Sequence, residues 1–298
     1  MKLLNEYLRE TFGCKVYKLA LNGGFTCPNR DGSLDTRGCI FCSAGGSGEF
    51  AESPDLSITK QIEAGKKRVE KKIKDGKYIA YFQAYTNTYG PLEKLKRLFS
   101  EAINHPDIVA LSIATRPDCL PDEVLELLAD LNKIKPVWVE LGLQTIHKKS
   151  ADYIRRGYDL PVYDSAVRKL RERNIEVITH VIIGLPGETL KDMEDTVRYV
   201  CESGATGIKL QLLHILKGTD LAKEYEDGKV PVLSEDEYMD ILKALTAIIP
   251  DSVIIHRLTG DGDKKLLLAP LWSADKKHVL NRIKEIQATI LPNQKSRE

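Results

Sequence analysis

The sequence has no apolar run of the ~20 residues needed to cross a bilayer. No signal peptide is expected either, since Met1-Lys2-Leu3-Leu4-Asn5-Glu6 turns polar at once. It also lacks an excess of one charge. Lysine and arginine number 44 against 43 acids, a formal net charge of +1. No global field therefore draws the chain to nucleic acid or to a membrane, and an anionic partner has to meet a local patch. Six cysteines in 298 residues do not make a disulfide framework. No internal repeat and no low-complexity tract is present. What remains, with 42% hydrophobic and 29% charged residues, is a globular chain able to bury a substantial core. Clustered thiols in an unsecreted protein point to a cytoplasmic, metal-binding one.

Three of the cysteines fall in a single loop, Cys27-Pro28-Asn29-Arg30-Asp31-Gly32-Ser33-Leu34-Asp35-Thr36-Arg37-Gly38-Cys39-Ile40-Phe41-Cys42. Its Gly, Pro, Asn and Asp residues forbid a long helix or strand, and a polar flexible loop is what wrapping a metal requires. Three thiolates are one short of a closed zinc site, which takes four ligands. They are also one short of a fully ligated iron–sulfur cluster, so one iron would stay open beside Gly45-Gly46-Ser47-Gly48. A zinc knuckle completed by Cys14 or a histidine, and a disulfide, stand as alternatives.

Downstream, apolar runs alternate with helical stripes. Strands are expected at Lys15–Leu21, Ile79–Phe82, Val109–Ala114, Val137–Leu143, Glu176–Ile183 and Gly207–His214. Helices are expected at Ser57–Lys74, Leu92–Ile103, Pro121–Leu131, Lys148–Arg155, Tyr163–Arg173 and Leu190–Cys201. Six such units predict an α/β fold, a partial (β/α)6 parallel barrel with its chemistry at the C-terminal ends of the strands. After about residue 215 the pattern changes: Ser234-x-x-Glu237 predicts a capping box for a helix to about Ile249, a short strand follows at Val253–Arg257, and a last helix at Asp275–Gln287. Two parts are expected, a core of 1–215 with a cluster loop at 22–48, and a substrate-facing C-terminal α/β extension of 216–298.

Cys27-x11-Cys39-x2-Cys42, with Phe41 before the third cysteine, resembles the cluster loop of radical S-adenosylmethionine enzymes. The long first spacing is similar to the elongator catalytic subunit branch, and more closely to a bacterial and archaeal family of short proteins, the YhcC/YtqA-like family. The resemblance runs over nearly the whole chain. It implies a [4Fe-4S] cluster on Cys27, Cys39 and Cys42, whose open iron chelates S-adenosylmethionine. One electron, from a donor such as flavodoxin or ferredoxin, then cleaves the sulfonium and releases a 5′-deoxyadenosyl radical.

The same resemblance implies cofactor contacts at the strand ends. Phe41 packs near the adenine, and Ala84, Tyr85 and Thr86 occupy the position of the motif that holds the cofactor's amino group, without its glycines. Gln144 and Arg156 match a glutamine and an arginine that contact ribose and carboxylate, for which an amide and a bidentate guanidinium are chemically apt. His180 stands where relatives carry a polar contact. The segment Ala114-Thr115-Arg116-Pro117-Asp118 resembles a Glu-Thr-Arg-Pro-Asp segment, with Ala114 replacing the glutamate.

The polarity of the last strand and tail singles out Lys209, Gln211, His214, Lys217, His256 and Arg257 as substrate-facing, with Trp272 offering an aromatic surface beside them. Arg116, at the end of the third strand, is expected either to bind substrate or to pair with Asp118 and fix the turn. Through the resemblance the substrate is tRNA, at a carboxymethylaminomethyl-type group of the wobble uridine. Local basic patches at Lys66, Lys67, Arg68, Lys71, Lys72, Lys74 and Lys77, and at Lys264, Lys265, Lys276 and Lys277, are compatible with it. An acetyltransferase domain of the elongator kind does not fit in the remaining residues. The rival expectations are a zinc-stabilised binding module, and a radical enzyme acting on a tetrapyrrole or other small molecule.

Overall fold

The computed structural model describes residues 2–46, 48–73, 76–260 and 262–294. Ser47, Lys74, Asp261 and the expected frayed tail Lys295–Glu298 lie outside the described residues. The chain runs β1 (Lys2–Leu3), α1 (Leu4–Phe12), β2 (Val16–Leu21), α2 (Ile58–Val69), β3 (Lys77–Phe82), α3 (Leu92–Ile103), β4 (Ile108–Thr115), α4 (Asp122–Asn132) and β5 (Val137–Gln144). It continues through α5 (Lys148–Tyr153), α6 (Leu160–Arg171), β6 (Glu176–Ile183), α7 (Leu190–Glu202), β7 (Gly207–Leu212), β8 (Ile215–Leu216) and α8 (Asp220–Glu226). The last elements are α9 (Glu235–Ala247), β9 (Ile254–Arg257), β10 (Leu267–Ala269) and α10 (Lys276–Gln294).

The six expected strands, β2 to β7, are all present and pair in sequence order. β9 adds beside β7 and β1 beside β9, so eight strands form one parallel sheet curled into a partial barrel. β8 and β10 form a separate antiparallel pair. Parallel strands need crossovers, and the amphipathic helices supply them while covering the outer face. Leu19, Phe82, Leu111, Val139, Val181 and Leu210 face that helical layer in one apolar cluster. The expected capping box forms at Ser234 and Glu237, and a second closes on Thr189 and Asp192.

The inner face follows the period of two in layers. Val16, Ile79, Ala110, Trp138 and Ile178 make an apolar floor together with Leu8. Two positions further along each strand come Lys18, Tyr81, Ser112, Glu140 and His180, a polar layer buried inside the barrel.

α1, which the sequence pattern did not bring out, lies against β1, β2 and β9 and stops the floor with Leu4, Tyr7, Leu8 and Phe12. Those residues recur at helical spacing, but the short helix interleaves them with Asn5, Glu6, Arg9 and Glu10. Gly13, at φ 66°, ends it in a left-handed cap. The sixth strand stops at Leu212, so Lys217 does not share its face with Lys209; it is exposed beyond β8.

Candidate active site

The strand ends surround a cavity of about 200 Å³, and the cysteine loop supplies one wall of it. Cys27, Cys39 and Cys42 all line this cavity, as do Phe41, Tyr85, Thr86, Gln144, Arg156 and His180. Backbone bonds fold the loop back on itself: Arg30 N donates to Cys27 O at 2.8 Å and Cys42 N to Cys39 O at 3.0 Å. Arg30 Nη2 donates to the carbonyls of Cys42 (2.8 Å) and Ser43 (2.6 Å). Buried Asn29 donates to Arg155 O at 2.7 Å and sits 3.4 Å from Cys39 Sγ. Ile40 exchanges backbone bonds with Ile154 and Leu221, which ties the loop to the wall beyond β5.

Burial pushes the Cys39 thiol up to about 12, with the Cys42 and Cys27 sulfurs adding to it. It raises Cys42 as well, against the opposing pull of Arg30. Thiols as reluctant to ionise as those of Cys39 and Cys42 need a cationic centre to hold them as thiolates. Among the described residues, the only trio of His, Cys, Asp or Glu with ligand atoms all within 4.8 Å is Glu63, His105 and Asp107. The three thiols are therefore set wider than that. Cys14 is remote from them, packed against the barrel floor.

Opposite the loop, the backbone takes unusual conformations. Tyr85 (φ 61°), Gln144 (φ 66°) and Arg155 (φ 57°) are non-glycine residues in the left-handed region. Such residues cost about 1–3 kcal/mol each and cluster where a surrounding site over-determines them. Tyr85 N donates to Gly46 O at 2.8 Å and its hydroxyl to Ala44 O at 2.5 Å, locking the post-β3 turn onto the cysteine loop. Ala84 is buried and does not line the cavity; a Cβ on Gly48 would lie 2.5 Å from its methyl group.

Arg156 is buried, and its guanidinium donates to Leu143 O (3.2 Å), Thr145 O (2.7 Å) and Tyr158 O (3.0 Å), with the Tyr158 ring 4.5 Å away. Arg116 grips Asp118 with two bonds, 2.9 and 2.7 Å, and donates to Arg156 O at 2.8 Å. Both arginines thus brace the cavity wall that they line.

The Radical SAM superfamily profile matches residues 35–200, and that of the Radical_SAM C-terminal domain residues 205–287. The chain belongs to the radical SAM superfamily. It is 49% identical over 285 residues to the Bacillus subtilis (strain 168) protein YtqA, covering 95% of this chain and 88% of that one. A tRNA uridine(34) acetyltransferase of Methanocaldococcus jannaschii is 27% identical over 157 residues, 51% of this chain and 28% of its own. The fold is similar to that of Methanocaldococcus infernus Elp3, lacking its N-terminal residues 1–46, at a TM-score of 0.65. There, with 18% identity, the match covers 85% of this chain and 58% of that one.

Below the cavity, this radical SAM chain keeps a charged layer. Glu140, 1% exposed, accepts from Lys18 (2.6 Å), Ser112 (2.6 Å), His180 (2.7 Å) and Lys209. Burial opposes its ionisation, but Lys18, Lys209 and His180 outweigh that and hold the carboxyl well below its usual range. Burial, together with Lys209, brings His180 down to about 4, so it is neutral at pH 7. Glu140, Gln83, Arg30 and Tyr158 also line the cavity, and sequence reasoning did not name them as site residues; Gln211, expected to face the substrate, lines it too. For Glu140 a signal existed: it is the one acid in the apolar strand Val137-Trp138-Val139-Glu140-Leu141.

The substrate-facing expectations separate. Arg116 and Arg257 line the cavity, whereas Lys209, His214, Lys217, His256 and Trp272 do not. His256 stacks edge-on against Trp138 in the floor at 5.5 Å. His214 borders a small side cavity of about 90 Å³ that it shares with Phe41. Trp272 donates its indole N–H to Leu233 O at 3.0 Å and packs 5.6 Å from Tyr238. Of the first basic patch, Lys66 and Lys77 pair with Asp107 and Arg68 with Glu52. Lys264, Lys265, Lys276 and Lys277 are exposed.

Proposed function

We propose that the chain is a radical S-adenosylmethionine enzyme that modifies the wobble-uridine side chain of tRNA, at a carboxymethylaminomethyl-type group. One observation carries this reading: the three loop cysteines share a single cavity with Phe41, Tyr85, Gln144 and Arg156. Thiolates on one zinc ion would lie about 3.8 Å apart, from a Zn–S bond of ~2.3 Å. The wider setting of Cys27, Cys39 and Cys42, with Cys14 remote, fits a [4Fe-4S] cluster better. When bound, the cluster and S-adenosylmethionine supply a hydrogen-abstracting radical.

The chain's own part is holding and shielding. The three thiols anchor the cluster while Asn29 and Arg30 brace their loop. Phe41 and Tyr85 supply apolar and aromatic walls. Gln144 offers an amide to the ribose hydroxyls, and Arg156 a guanidinium to the cofactor's carboxylate. An electron donor such as flavodoxin or ferredoxin completes the reaction.

The tRNA assignment draws on the likeness to a tRNA uridine(34) acetyltransferase and on the exposed lysines of α10 and the segment before β10. The test is anaerobic reconstitution with reductant, S-adenosylmethionine and bulk tRNA, followed by nucleoside mass spectrometry. Formation of 5′-deoxyadenosine with loss of a wobble-uridine nucleoside is expected. Deoxyadenosine release indifferent to tRNA would leave a radical enzyme with a small-molecule substrate, and a colourless zinc protein would remove the radical chemistry.

A further inference from the structure

A second cavity, of about 380 Å³, opens at the seam where the sheet stays unclosed, between its edge strands β2 and β1, next to the end of β9 and beside α1. Lys18, Lys209, His256, Arg257 and Lys276 line it, and among the described residues no aspartate or glutamate does. Tyr81, Gln83 and Arg257 line both this cavity and the one beside the cysteines, so the two adjoin inside the barrel.

Charge does not balance at its inner end. Lys18 and Lys209 both bond to the single buried carboxylate of Glu140. Arg257 and Lys276 are engaged in interactions of their own, so the excess rests on the two lysines. His180 is neutral and adds no negative charge, and the faces of the Tyr81 and Trp138 rings near Lys18 attract cations only weakly compared with an anion. Burial, with Lys18 and Arg257 nearby, outweighs Glu140 and draws Lys209 down to about 7. A carboxylate supplied from outside would act as a second counter-ion and hold Lys209 in its charged form.

The depth of the site selects the kind of anion. The Lys209 side chain is only 4% exposed, at the wall of a cavity that shares Tyr81 and Gln83 with the one beside the cysteines. A nucleic-acid backbone phosphate, flanked by sugars on both sides, does not reach that far. A carboxylate at the tip of a flexible arm does.

We propose that the seam cavity is a subsite for a carboxylate carried on a substrate side arm, with Lys209 Nζ as its principal counter-ion and Arg257 beside it. The arm's carbons then lie toward the cavity lined by the three cysteines. The proposal rests on the reading of the substrate as a carboxymethylaminomethyl-type uridine and assigns its charged end to named residues.

The test is calorimetric binding of the nucleosides 5-carboxymethylaminomethyluridine and 5-aminomethyluridine to the full chain, purified anaerobically. The wild type is expected to bind the carboxylated nucleoside at least tenfold more tightly. Lys209→Met and Lys209→Gln should each cut that preference below threefold, and Lys209→Arg should keep it. Removing Lys209 leaves Lys18 and Glu140 as a balanced pair, so neither variant strands a buried carboxylate. Equal affinity of the wild type for the two nucleosides, no detectable binding of the carboxylated one, or a preference that survives in both neutral variants would overturn the proposal. The measurement needs neither turnover nor tRNA. A failure of the radical or tRNA reading, seen in deoxyadenosine and tRNA nucleosides, is therefore told apart from a failure of the subsite.

Discussion

His180 Nε2 lies 2.7 Å from Glu140 Oε2, and that contact sets the tautomer of the imidazole. Glu140 is ionised and only accepts, so Nε2 carries the proton and Nδ1 is left to accept from Gln211 Nε2 at 3.4 Å. One carboxylate thereby orients both a histidine and a glutamine at the cavity.

Glu140→Gln should destabilise the fold by about 3–5 kcal/mol, because the buried Lys209 and the half-buried Lys18 lose their shared counter-ion. The pH dependence has a definite sign. The folded carboxyl is held below its unfolded value, so its contribution is complete above the ordinary carboxylate range and is lost as pH falls through the folded value. Urea unfolding of both proteins from neutral to acid pH should show the gap between them shrinking on acidification. A constant gap would mean that packing, not charge, is what the mutation removes.

Ala at Cys27, Cys39 or Cys42 should abolish iron and sulfide binding after anaerobic reconstitution, each being one of the three thiols on the cavity. Cys14→Ala, in the barrel floor, should retain full iron. Iron lost with Cys14 and kept without Cys27 would reverse the ligand assignment.

Arg30→Ala should lower cluster content without removing a ligand, since it frees the carbonyls of Cys42 and Ser43 that hold the loop closed. Iron per chain and thermal stability, measured together, distinguish a loosened loop from an unfolded protein. Full iron occupancy would show that the backbone bonds suffice.

Arg156→Ala should weaken S-adenosylmethionine binding at least tenfold while sparing the cluster, a charge-assisted contact being worth roughly 1.5–3 kcal/mol. Calorimetry on the reconstituted variant reads this directly. Unchanged affinity would confine Arg156 to bracing the carbonyls of Leu143, Thr145 and Tyr158.

Trp272→Phe should cost about 1 kcal/mol, the net worth of a hydrogen bond to Leu233 O. It should leave tRNA affinity unchanged, because the ring packs on Tyr238. A loss of tRNA binding without a loss of stability would put the indole back at the substrate.

Much of this protein was legible in its sequence because the relevant signals are local. Apolar strands such as Val137–Leu143 and amphipathic stripes such as Leu92–Ile103 reveal themselves within one element, and Ser234 with Glu237 announces a helix start three residues apart. The thiols of Cys27, Cys39 and Cys42 sit in one loop, so their grouping needs no fold to be seen.

Pairing across the barrel was decided elsewhere. Lys18 and Glu140 are separated by 122 residues, and Lys209 follows Glu140 by 69. Only the curl of the sheet carries those side chains to one point, and only their burial there turns solvated lysines into counter-ions. Trp272 went the other way, an aromatic that local polarity exposes and packing against Tyr238 covers. Motifs and elements follow from short-range chemistry written along the chain, whereas charge balance, burial and the direction of a side chain depend on neighbours that tertiary packing alone selects.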